Sequence, residues 1–166
     1  DAFGIVVPVE RTTADPAAAL CAEADELVAT GREEDATVRL YRALELLEDA
    51  REFREAVRVV DRLLALRPDD VVLHHQRAEF ALGLDDRSLL VESYMALASS
   101  LRRLEAPDSA RTVYARILEI DPEQETALAS LENLYLALGR EEDLLKVLGT
   151  KLELAADEYD RRSIQT

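Results

Sequence analysis

Three kinds of side chain in this 166-residue sequence could do chemistry: two histidines, one cysteine and several groups of adjacent carboxylates. His74 and His75 are neighbours, so on a helix they point to different faces. They do not make the i, i+4 pair that holds a metal, and no cysteine stands near them in sequence. Surface or packing roles are expected for both, with a ligand or pH-sensing role as the alternative. Cys21 lies among Ala17, Ala18, Ala19, Ala22 and Ala24 and reads as a small buried apolar residue. A nucleophile would need an activating base, and none is indicated. The carboxylates gather as Glu33-Glu34-Asp35, Asp69-Asp70, Asp85-Asp86, Asp121 with Glu123, and Glu141-Glu142-Asp143. Pairs of carboxylates can divide acid and base work. All of these, however, stand where a helix is expected to begin, and there they cap free N–H groups and oppose the helix dipole. No calcium loop, glycine-rich phosphate loop or serine nucleophile motif is present. The expectation is a chain that is not an enzyme and carries no metal and no cofactor.

Composition narrows the partners. The formal charge is −15, from 35 acidic and 20 basic side chains. Such a chain cannot hold a nucleic-acid backbone by releasing counterions, and it is repelled by an anionic membrane surface. No apolar run approaches the ~20 residues of a spanning helix. The longest, Phe3–Val9, is interrupted by Pro8. A cytoplasmic location is expected, with envelope association as an alternative. Lys146 and Lys151 are the only lysines, an arginine bias that points to a GC-rich bacterial genome. Hydrophobic residues make up 48%, enough for a core, while aromatics reach only 5% and Gly and Pro number five each. Alanine, leucine, glutamate and arginine dominate, which is a helix composition.

Apolar residues at i, i+3/i+4 spacing predict helices over 16–30, 34–49, 53–66, 70–82, 87–104, 108–120, 123–138 and 141–155, with a ninth from about Asp157. Residues 1–14 hold the one strand-like run and are expected to be an extended or flexible segment, a strap on the helices, or a strand added to a partner's sheet. Residues 15–166 form the helical domain. Within it Leu-Leu-Ala-Leu-Arg-Pro at 63–68 aligns with Ile-Leu-Glu-Ile-Asp-Pro at 117–122. Counting back from each proline gives frames of 34 residues at 37–70 and 91–124, followed directly by 125–158. Residues 71–90 are an irregular unit between the first two. The helix over 87–104 serves both as the end of that unit and as the start of the next, so a kink or change of lining face is expected near Gly83–Asp86. No helix can bury its stripe alone, so stacked pairs must share one core.

The pattern resembles the tetratricopeptide repeat family. The carriers are Tyr94, Leu97, Ala98, Leu101, Ala110, Tyr114, Ile117 and Pro122 in 91–124, and Leu40, Ala43, Leu47, Ala56, Val60, Leu63 and Pro68 in 37–70. In 125–158 the carriers are Leu128, Leu131 and Tyr135. The resemblance implies an all-α, right-handed superhelix of helix-turn-helix repeats with eight or nine helices. It further implies a protein–protein interaction scaffold whose first helices line a concave groove. Carried over by frame, the groove residues are Tyr41, Arg42, Glu45, Met95, Ser99, Arg102, Ser130 and Asn133, with Glu48, Glu92, Arg103 and Thr126 beside them. Tyr41 and Met95 are the expected anchors. The carboxylate clamp of chaperone-tail binders is matched at Asn133 alone and is not expected. The implied partner is a protein or peptide that is not strongly acidic. Self-association, or service as a regulatory or assembly region of a larger protein, is the alternative.

Overall fold

The computed structural model describes residues 15–164, with side chains to Asp157. The expected segment 1–14 lies outside the described residues. Among the described residues there are eight α-helices and no strand: α1 Pro16–Ala29, α2 Glu33–Asp49, α3 Phe53–Leu66, α4 Val71–Gly83, α5 Arg87–Arg103, α6 Pro107–Ile120, α7 Glu125–Leu138 and α8 Glu141–Ile164. The all-α class is the one expected. One expected boundary is corrected. The break after Ala155 and the ninth helix from about Asp157 are absent, because α8 runs through both positions. Neither Gly nor Pro occurs from Thr150 to Ile164, and Leu152–Ala156 is built of strong helix formers.

The turns are of two kinds. Five put one residue in the left-handed region: Gly31, Arg51, Asp85, Glu105 and Gly139, at φ between 53° and 74°. Each closes with the same pair of bonds. In the α4–α5 turn the Asp85 N–H donates to the Leu82 carbonyl and the Asp86 N–H to that of Ala81. This is the Schellman arrangement, which satisfies the orphan carbonyls of a helix end. The other two turns, Arg67–Asp70 and Asp121–Gln124, are built on Pro68 and Pro122.

A spacing of 54 residues runs through this order. Helices α2, α5 and α8 start at Glu33, Arg87 and Glu141, α3 and α6 at Phe53 and Pro107, and α4 and α7 at Val71 and Glu125. The left-handed residues Gly31, Asp85 and Gly139 keep the same step. Gly-Arg-Glu-Glu-Asp stands at both 31–35 and 139–143. With three helices to a step, residues 71–90 are α4, its turn into α5 and the first four residues of α5.

The carboxylates serve this geometry unevenly. Asp70 and Asp86 are N-caps whose side chains accept from backbone N–H groups of α4 and α5. Glu33–Asp35 and Glu141–Asp143 fill the first turns of α2 and α8. Two expected caps are corrected. Asp121 ends α6 instead of starting α7, whose cap is Gln124, because Pro122 separates them. Asp85 occupies the left-handed turn position, which Asp tolerates better than most residues.

The chain forms two compact units that divide within α3, between Val59 and Val60. In the first, α1 packs on α2. Ala17 and Ala24 of α1 and Ala36 and Ala43 of α2 are fully buried, and these small residues let the backbones approach. Arg39 pairs with Glu23 across the two helices. Cys21 is half-buried, not buried as expected, because the inward positions of α1 go to Ala17 and Ala24. In the second unit α5 packs on both α4 and α6, α7 on α6, and α8 on α7. One of its cores joins Ala98, Ala110, Tyr114, Ile117, Ala127, Leu128, Leu131, Tyr135 and Val147.

Candidate functional site

The expected groove residues divide between the two units. Tyr41, Arg42 and Glu45 belong to α2 in the first. Tyr41 is half-buried, while Arg42 and Glu45 are exposed and pair with each other at 2.6 Å. Met95, Ser99 and Arg102 belong to α5 in the second. Their i, i+4, i+7 spacing puts them on one face of the helix. Met95 and Ser99 are half-buried and Arg102 is exposed. Met95 packs against the core of α6 and α7, so part of its surface is already committed. On α7, Ser130 is half-buried and Asn133 exposed. Two of the flanking candidates are occupied within the fold. Glu92 binds Arg77, and Arg103 binds Asp69.

Arg77 was not singled out by the sequence. Its side chain is 10% exposed, in the second unit, and three partners from two other helices converge on it. Nε donates to Asp61 at 2.7 Å, Nη1 to Ser93 at 2.8 Å and Nη2 to Glu92 at 2.8 Å. Burial, the largest single influence, pulls its pKa down. The hydrogen bonds and charges of Asp61 and Glu92 together outweigh this and hold it above the ordinary arginine value. A guanidinium on α4 with its hydrogen bonds directed to α3 and α5 fixes the register of the three helices. The signal in the sequence was faint: Arg77 stands between Leu73 and Ala81 on the apolar side of its helix, at a position where a charge must find partners. Nearby, His74 Nε2 donates to the Pro68 carbonyl at 2.9 Å and is buried against the proline turn. It is a packing histidine.

The corresponding place on α7 and α8 is open. One step of 54 residues carries Asp69 to Glu123, Ser100 to Leu154 and Arg103 to Asp157. Asp69 accepts from both Ser100 and Arg103 and ties α5 to the turn before α4. Leu154 and Asp157 cannot supply those donors. A cleft of about 680 Å³ remains there, lined by Glu123, Glu125, Thr126, Leu128, Lys151 and Leu154 among others. Lys151 is held on its side by Glu132 of α7. Among the described residues no group of three His, Cys, Asp or Glu side chains could hold a metal ion. No helix there is long and apolar enough to cross a membrane.

No known protein family matches the chain. No curated protein matches it either. The chain is similar to solved structures of MamA. A double mutant of MamA from RS-1 is 16% identical, over 87% of this chain and 97% of that one, with a TM-score of 0.41. Another structure of MamA is 13% identical, over 82% and 96%, with a TM-score of 0.38. MamA from AMB-1 is 16% identical, over 84% and 98%, with a TM-score of 0.35.

Proposed function

We propose that this chain is a protein–protein interaction scaffold of the tetratricopeptide type that docks a partner segment on the exposed side of α5. The observation that carries this reading is the face of Met95, Ser99 and Arg102, which grades from core to solvent along one line of the helix. It offers an apolar foot, a hydroxyl and a guanidinium in sequence, the composition of a small anchor with a polar rim. Ser130 and Asn133 on α7 extend the polar contacts. On α2 the places one step earlier hold Tyr41 and Glu45 for Met95 and Ser99, so that helix offers a face of the same design with an aromatic anchor. The partner is a protein segment that is not strongly acidic, since a chain at −15 repels one that is. The site asks for neither cofactor nor catalysis, and a cytoplasmic location suits it.

The test is affinity capture from source lysate with quantitative mass spectrometry. It compares the wild type, a Met95→Ala/Arg102→Ala variant and a Tyr41→Ala variant, each checked for unchanged helicity. Partners that dock on α5 should fall by tenfold or more with the first variant. Equal recovery by all three proteins sinks the proposal.

A further inference from the structure

The repeat spacing makes an internal control of α5 and α8. On α5, Ser93 faces α4 through Arg77, while Val91, Tyr94, Ala98 and Leu101 join the core that Ala110, Tyr114 and Ile117 of α6 complete. One step later these two faces of α8 are Val147 on one side, and Leu145, Leu148, Leu152 and Ala155 on the other. Val147 is buried in the core of α7, as its place requires. The other face is bare: Leu145 is 69% exposed, Leu148 40% and Leu152 73%. The matching residues of α2, Thr37, Leu40, Leu44 and Leu47, are all buried. Three leucines at i, i+3, i+7 are thus in solvent at positions that α2 buries and that α5 covers at least in part, with Val91 and Tyr94 half-buried and Ala98 buried.

We infer that this face of α8 binds an amphipathic helix from a partner protein, seated as α6 seats on α5. This surface is separate from the α5 face proposed above. The docking helix would carry the stripe of the third helices in this chain, a small residue followed by large apolar ones four and seven positions on. Ala56, Val60 and Leu63 of α3 and Ala110, Tyr114 and Ile117 of α6 are that stripe, and all six are 0–1% exposed. Helix-in-groove recognition reads such anchors. Charge selects the source. Glu141, Glu142, Glu153 and Asp157 are exposed on α8, against Lys146 and the part-exposed Lys151, whose charge Glu132 already pairs. A second copy would bring another −15 to the contact, so the complement is a helix with a basic polar face.

The probe is a fluorescent, acetylated and amidated peptide with the sequence of residues 107–120, carrying Asp108→Lys and Glu119→Lys to make its polar face basic. It is titrated against the whole chain by anisotropy. Saturable binding is expected, at least tenfold tighter to the wild type than to Leu148→Glu/Leu152→Glu. A peptide that also carries Tyr114→Asp and Ile117→Asp should not bind. A photo-crosslinker in place of Tyr114 in the peptide should mark residues 145–155. Equal binding to both chains overturns the inference, and so do crosslinks on α5 in place of α8. Light scattering of the chain alone adds a further arm. A dimer that Leu148→Glu/Leu152→Glu dissolves would assign the face to a second copy and overturn the inference too.

Discussion

Helix α5 is covered on two sides and α8 on one, although both start from the same place in the 54-residue spacing. Where α5 has Ser100 and Arg103 bound to Asp69, α8 has an open cleft. Where α5 has Ala98 pressed against α6, α8 has Leu152 in water. The lesson is that one backbone register can be closed by its side chains in one copy and left as surface in another. Small and polar residues finish the closed copy, since Ala98 allows close approach and the Asp69 contacts seal the cleft. Large apolar and acidic ones keep the other unfinished. Leu145, Leu148 and Leu152 stand exposed in a line, and the inference of a contact surface on α8 rests on that line.

The comparison can be broken or sharpened by substitution. The largest effect is expected for Tyr114→Ala, which empties the centre of the α5–α6–α7 core. A loss of about 3–5 kcal/mol is expected, measured by urea denaturation. Arg77→Ala should follow with a loss of about 2 kcal/mol. Its own buried bonds vanish, but Asp61 and Glu92 are 47% and 68% exposed and can turn to water. Lys151→Ala, across α7 and α8, should cost less than about 1 kcal/mol, because that pair is 40% and 27% exposed. An effect of Lys151→Ala equal to that of Arg77→Ala would show that the two halves are held alike.

Reciprocal exchange tests the contrast at one position. Ala98→Leu should overpack the α5–α6 contact and cost about 1–3 kcal/mol. Leu152→Ala, its mirror, should stay within about 0.5 kcal/mol of the wild type. A large loss from Leu152→Ala would mean that α8 is covered after all. A gain in place of a loss is expected in the turns. Asp85→Gly gives the α4–α5 turn the glycine that Gly139 gives α7–α8. It should raise stability by about 0.5–1 kcal/mol, read as a shift in the urea midpoint, because the left-handed conformation costs Gly nothing.

Most of the fold was legible because helices announce themselves locally. The 3.6-residue spacing, the capping acids and Pro68 and Pro122 act within a few residues of where they stand. Asp70 and Asp86 cap as a reader of the sequence expects. The ninth helix failed for the same reason in reverse. The frame of the repeat called for a stop near residue 156, but the local residues from Thr150 to Ile164 contain nothing that stops a helix. Asp121 ends α6, and acidity alone does not tell the end of one helix from the start of the next.

What this sequence determined by itself was the class of fold, the positions of most helices and a net charge of −15, since each follows from short-range preference or simple addition. What only the tertiary structure decided was which carboxylates belong to caps and which to Arg77 or Arg103, and which leucines are core. Leu44 and Leu152 stand two steps of the repeat apart, on the same face of their helices. One is 2% exposed and the other 73%. Nothing in the local pattern separates them, because burial depends on whether another helix arrives to cover the face, and that is settled by chain far away in sequence or by another molecule.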